Sequence, residues 1–133
     1  MALKLVDVTA NSIGVGIRDL EGKDVDEINS WMEVMVPKNT PIPTKAVDYF
    51  QTAEDYQTTL YVKVYEGENK YVKNNKYLGE FSLEGIPSQV KGLASIEETI
   101  DIDENGCITV SAKCVEKEKS HNLIVIRTQA QYS

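Results

Sequence analysis

The sequence predicts an antiparallel, mostly β domain, and three observations carry that prediction. Runs of residues alternate with period two, Gly, Asn, Asp and Pro punctuate the chain at short intervals, and one Asn-Gly pair separates two alternating runs. In Thr59 to Tyr65, Leu60, Val62 and Val64 share one face while Tyr61, Lys63 and Tyr65 share the other. The same alternation puts Ile96, Ile100 and Ile102 on one face, and Ile108, Val110 and Ala112 on another. Between these two runs lies Asp103-Glu104-Asn105-Gly106, a hairpin signal because Asn and Gly both tolerate the positive φ of a tight two-residue turn.

Two other segments read as strands. Ser12 to Ile17 carries Gly14 and Gly16, which inside a strand mean a bulge or a close backbone approach, or else a flexible binding loop. Asn122 to Arg127 is apolar on both faces, as in a strand buried on both sides or covered by something outside this chain. Asp19 to Ser30 does not alternate. Its acids Asp19, Glu21, Asp24, Asp26 and Glu27 against the single Lys23 read as an exposed acidic loop, compatible with a short helical turn.

A chain of 133 residues is the size of one domain with one core. Its hydrophobic fraction of 41% and charged fraction of 26% are those of a globular protein, and no apolar run is long enough to span a bilayer as a helix. The net charge of -7 repels phosphates and no basic stretch interleaves with aromatics, which argues against nucleic acid as a partner. Met1 to Val8 lacks the apolar length and cleavage pattern of a secretory signal. Only Cys107 and Cys114 are present, too thin a framework for a disulfide-stapled module, and this points to a reducing compartment.

Candidate chemistry is sparse. Asp101 to Gly106 matches the first half of a helix-loop-helix calcium loop, but the twelfth position, where a bidentate Glu belongs, is Ala112 and the flanks read as strands. Cys107, Cys114 and His121 lie seven residues apart, without the close pairs and fourth ligand of a structural zinc site. Neither GxGxxG nor GxxxxGK[ST] occurs, so no phosphate cradle is expected and neither a cofactor nor a catalytic residue is assigned to this chain.

Longer strings say more. Asp7-Val8-Thr9, Lys38-Asn39-Thr40, Ile42-Pro43-Thr44-Lys45, Phe50 to Asp55 and Gln57-Thr58 occur in this order. Val64 to Glu68, Asn75-Lys76, Leu78 to Phe81, Gly85-Ile86-Pro87, Asp101 to Gly106 and Val110 to Lys113 follow. From about Leu5 to Arg127 this ordered set resembles the substrate-binding domain of 70-kDa heat-shock chaperones. The resemblance implies an all-β fold, a two-sheet antiparallel β-sandwich whose loops form a peptide-binding channel at one end. It makes residues 1–133 that one domain, with an ATPase domain and a helical lid elsewhere in the parent chain.

The implied function is holding extended hydrophobic segments of unfolded polypeptides, not catalysis. ATP and Mg belong to the parent's ATPase domain, and co-chaperones are its further partners. The resemblance assigns the central pocket to Val15, Phe50, Leu60, Val62 and Ile96, and further peptide contacts to Ile17, Gln51, Ala53 and Gln57. Asp7 and Lys38 match positions that contact the ATPase domain. The expected location is the cytoplasm, with endoplasmic reticulum and organelles as the family's other homes.

Two departures stand out. Arg18 takes a usually apolar arch position opposite Ala53 and precedes an acidic loop about ten residues longer than the resemblance leads one to expect. Gly16 stands between Val15 and Ile17 where an acidic residue is common. These departures leave a second reading open, a divergent structural or regulatory relative that acts as an interaction module without clients.

Overall fold

The computed structural model describes residues 7–17, 30–52, 54–115, 119–127 and 131–132, the last two stretches as backbone. Arg18, the acidic segment as far as Asn29, and Ala53 lie outside the described residues. The strands are Asp7–Val8 (β1), Ile13–Ile17 (β2), Trp31–Val36 (β3), Thr44–Gln51 (β4) and Thr59–Glu66 (β5). After a 3-10 turn at Val72–Asn74 come Lys76–Glu84 (β6), Ser95–Ile102 (β7), Cys107–Cys114 (β8), Lys119–Arg127 (β9) and Gln131–Tyr132 (β10).

These strands form two four-stranded sheets, ordered β3-β2-β5-β6 and β4-β7-β8-β9, beside a small β1-β10 pair. Every pairing is antiparallel. The alternation seen in the sequence explains why the sheets stack: each presents one apolar face, and only face-to-face packing hides both. Ile13, Val15, Val62, Val64, Phe81 and Leu83 from the first sheet share a buried cluster with Ile96, Ile100, Ile102, Ile108, Val110 and Ala112 from the second. The expected two-sheet antiparallel sandwich is the observed architecture.

Local details refine three sequence readings. Gly14 sits at a bulge in the β2–β3 register, and a Cβ there would collide with the backbone carbonyl of Glu33, so close approach is its role. The Asp103–Gly106 hairpin is present, but Asn105 does not take the positive φ expected of it. Only Gly106 does, at 80°. Its N–H donates to the Asp103 carbonyl, while the Asp103 N–H donates to the Cys107 carbonyl. Oδ1 of Asp103 accepts from the amides of Asn105 and Cys107, both at 2.9 Å. The side chain of Asp103 thus caps a longer loop that a left-handed Gly closes, which makes the two-residue turn unnecessary.

Tyr65, which shares a face with Tyr61 and Lys63, is nonetheless buried, and the β5–β6 register shifts between Val64 and Tyr65. It packs with Met32 and Val72 in a satellite cluster and meets Tyr77 edge-on at 5.7 Å. β9 is an edge strand of its sheet and lies against β6. The expectation that both its faces are covered concerns side chains outside the described residues.

Candidate functional site

β5 leaves the loop that follows β4 and carries Leu60 and Val62 inward, one residue apart on the same face. β2 brings Val15 opposite Val64, and β7 brings Ile96 opposite Phe50 of β4. Val15, Val62 and Ile96 belong to the buried cluster, and the half-buried Phe50 and Leu60 pack against it. The five residues assigned to the pocket are therefore brought into one apolar assembly. Ile17 is half-buried at the same end of β2, and Gln51 is exposed at the end of β4.

Two loops are stitched together above this end. In the segment after β4, the amide of Tyr56 donates to the Gln89 carbonyl at 2.6 Å, and the carbonyls of Thr52 and Thr58 accept from the amides of Gly92 and Ile86. Asp55 accepts from the Lys91 amide at 2.9 Å. Gln57 folds back on its own loop, donating from Nε2 to the Thr59 carbonyl and accepting from the Glu54 amide. Tyr56 takes a φ of 61° to follow this tight path. Ala53 belongs to the same loop and, with Arg18, falls outside the described residues.

Asp7 and Lys38 lie at the other end of the strands, together. The Asp7 carbonyl accepts from the Ile42 amide, and the segment between is laced by Thr9, whose Oγ1 donates to Pro37 and accepts from the Thr40 amide. The Lys38 amide donates to Ser12 Oγ, which in turn donates to Glu68 at 2.6 Å. Burial pulls the Glu68 carboxyl upward, but the Ser12 hydroxyl and amide and the Lys38 charge outweigh it and hold the group below its ordinary value. Oδ1 of Asp7 is buried with no hydrogen-bond partner among the described residues. The eight residues of β4 separate this end from the Phe50 end by roughly 23 Å at strand rise.

A further pair escaped the sequence reading. Glu98 is only 4% exposed and lies on the inward face of β7, between Ile96 and Ile100. Directly opposite it on β4 stands Asp48, one same-face step from Phe50. Burial first, and the Asp48 charge second, push the Glu98 carboxyl up to about 8. The signal was available, since the period that puts Ile96 and Ile100 inward puts Glu98 there too. Among the described residues no group of three His, Cys, Asp or Glu side chains could hold a metal ion.

The fold and this end of it define a two-sheet antiparallel sandwich with an aliphatic cluster beneath two clasped loops. The family follows from comparison with known proteins: the model of the Hsp70 protein family matches residues 2–133, and the chain belongs to that family. It is 45% identical over 109 residues to a chaperone protein DnaK of Anaplasma marginale, covering 82% of this chain and 15% of that protein. It is 40% identical over 121 residues to the mitochondrial heat shock protein SSC3 of Saccharomyces cerevisiae, covering 91% and 17%. The chain thus spans about a sixth of the length of these relatives.

Proposed function

We propose that this chain is the peptide-holding sandwich of an Hsp70-type chaperone, gripping extended apolar segments of unfolded polypeptides at the end roofed by its clasped loops. The observation that carries this reading is the convergence of Val15, Phe50, Leu60, Val62 and Ile96 in one apolar assembly at that end. Backbone hydrogen bonds hold an extended peptide without reading its sequence, and a pocket for one side chain adds a preference for Leu or Ile. Burying that side chain contributes roughly 1.5–3 kcal/mol and each net hydrogen bond about 0.5–1.5 kcal/mol. After ordering costs, binding is no tighter than about micromolar, which suits a ligand that must be released.

In this reading Gln51, Ala53, Gln57 and Ile17 flank the bound peptide. Asp7 and Lys38 face an ATPase domain of the parent chain, which would hold ATP and Mg, respond to co-chaperones and control exchange. The unpaired Oδ1 of Asp7 supports that role, because a buried acceptor without a donor gains from a partner that supplies one. The relatives named above include a bacterial chaperone and a mitochondrial protein, and we assign this chain to the cytoplasm or an organelle of that kind.

Fluorescence anisotropy with a labelled Leu-centred heptapeptide tests the reading. Saturable micromolar binding, displaced by unlabelled peptide and abolished by Val62→Phe with the fold intact by circular dichroism, is expected. Absence of saturable binding by the unsubstituted chain overturns it and favours an interaction module without clients.

A further inference from the structure

On β4, β7 and β8, the strands of the second sheet whose side chains are described, the inward face carries charged residues at one place only. On β7 the inward residues are Ile96, Glu98, Ile100 and Ile102, and on β8 they are Ile108, Val110, Ala112 and Cys114. On β4 they are Thr44, Ala46, Asp48 and Phe50. Asp48 and Glu98 are register partners, so two carboxyl groups stand side by side on a face that otherwise builds the core. The facing sheet contributes Val15, Val62, Val64, Phe81 and Leu83 to the same core cluster, and β3, the strand that packs on β4, carries one further acid on its inward face, the half-buried Glu33, register partner of Val15. On the far side of Glu98, β8 offers Ala112; beyond, the β9 backbone places His121 opposite Ala112.

Among the described residues no cation shares this face. The ion pair of Lys113 with Glu97 at 3.7 Å belongs to the outward face, as do Lys45 and Asp101. Burial and a like charge are what act on Glu98, with no hydrogen bond among the described residues to offset them. A buried carboxyl in that condition is costly, and a positive charge brought to it from outside removes the cost. The neighbouring pair along the strands, one same-face step of about 7 Å away, is Phe50 with Ile96, the wall of the apolar pocket.

We propose that Asp48 and Glu98 form an acidic subsite continuous with this pocket, which takes the ammonium or guanidinium group of a Lys or Arg in the bound peptide. The inference rests on the peptide-holding reading above and deepens it. A Lys stem of four methylenes is as long as the step from the Phe50–Ile96 pair to the carboxyl pair, so the stem lies against apolar wall while its head reaches the acids. Asp48 is half-exposed on the edge strand, with Oδ1 accepting from the Tyr49 amide at 2.8 Å. Glu98 is the responsive member: neutral in the empty site, it gives its proton to solvent as the cation arrives.

Proton release supplies the test. Labelled heptapeptides identical except for a central Leu, Lys or norleucine are titrated against the 133-residue chain between pH 6 and 8.5. Norleucine has the Lys stem without its charge. The Lys peptide is expected to bind more tightly as pH rises, by up to about tenfold per pH unit below the point where Glu98 ionises unaided. The norleucine peptide should show no such slope.

Glu98→Gln is expected to remove the slope and lower the Lys-to-norleucine affinity ratio about tenfold, and Asp48→Asn, on the exposed edge, should lower the same ratio. Calorimetry in two buffers of different ionisation heat should detect proton release with the Lys peptide alone. If the Leu peptide binds while the Lys-to-norleucine ratio is independent of pH and of both substitutions, the subsite is refuted and the pocket stands. If no peptide binds, both are refuted.

Discussion

Glu98→Gln isolates one proton in the core. The amide matches the neutral acid in shape and charge, so the two side chains differ only where Glu98 ionises. Raising the carboxyl from 4.5 to about 8 makes its ionised form roughly 5 kcal/mol less favourable in the folded than in the unfolded chain, at about 1.4 kcal/mol per pH unit. The sign follows from which state holds the proton. The folded chain binds it more tightly, so stability is full below pH 4.5, declines as pH rises through about 8 and is level beyond. With the amide in its place there is no such decline. The variant should therefore exceed the parent by under about 1 kcal/mol at pH 5, roughly 3 at pH 7 and roughly 5 at pH 9.

Urea denaturation followed by the fluorescence of Trp31, the single tryptophan, measures this directly. A gain of 3 kcal/mol moves the midpoint by about 1–3 M at slopes usual for small domains. Parent and variant curves that stay parallel from pH 5 to 9 would refute the burial of this carboxyl.

Two other perturbations probe the frame. Gly14→Ala drives a methyl group into the Glu33 carbonyl, where only backbone can yield, and a loss of more than about 3 kcal/mol or failure to fold is expected by circular dichroism. Glu68 carries the opposite linkage from Glu98. Its carboxyl is held below 4.5, so its contribution is present above that pH and is lost as pH falls through the lowered value; Glu68→Gln should flatten the acid limb of the stability profile, measured by urea midpoints between pH 6 and 3.

The period-two pattern made most of the sandwich legible, because a strand with one buried face writes that face into alternate residues. Leu60, Val62, Ile96, Ile100 and Val110 were placed inward from the sequence and are inward. Register shifts and satellite clusters were not legible: nothing in Val64-Tyr65-Glu66 announces the bulge or the burial of Tyr65, since that burial depends on Met32 and Val72 arriving from elsewhere. Turn geometry was half legible. Asn105-Gly106 marked the hairpin, but whether Asn105 or Asp103 shapes it depends on how many residues the register leaves unpaired. The residues proposed for the pocket came from family likeness and not from alternation, which cannot distinguish a pocket wall from ordinary core. Glu98 was hidden for the reverse reason, because acids are read as outward by habit even where the period puts them inside.

The acidic subsite and the destabilising carboxyl are two consequences of one proton, and their pH dependences run in opposite directions. Raising pH costs the empty chain stability, because Glu98 loses its proton in apolar surroundings. The same change strengthens a Lys-containing ligand, because less proton must be displaced. Ligand at about a hundred times its dissociation constant adds roughly 2.7 kcal/mol, and a tenfold tightening adds about 1.4 more. For a domain of this size the second contribution is about 3–5 °C in melting temperature. Between pH 6.5 and 7.5 the melting temperature of the free chain should therefore fall while the increment from a fixed concentration of Lys-centred peptide grows by that amount. A norleucine-centred peptide should give the same increment at both pH values. Equal increments from the two peptides at both pH values would separate the carboxyl from the ligand and leave Glu98 a buried acid with no part in binding.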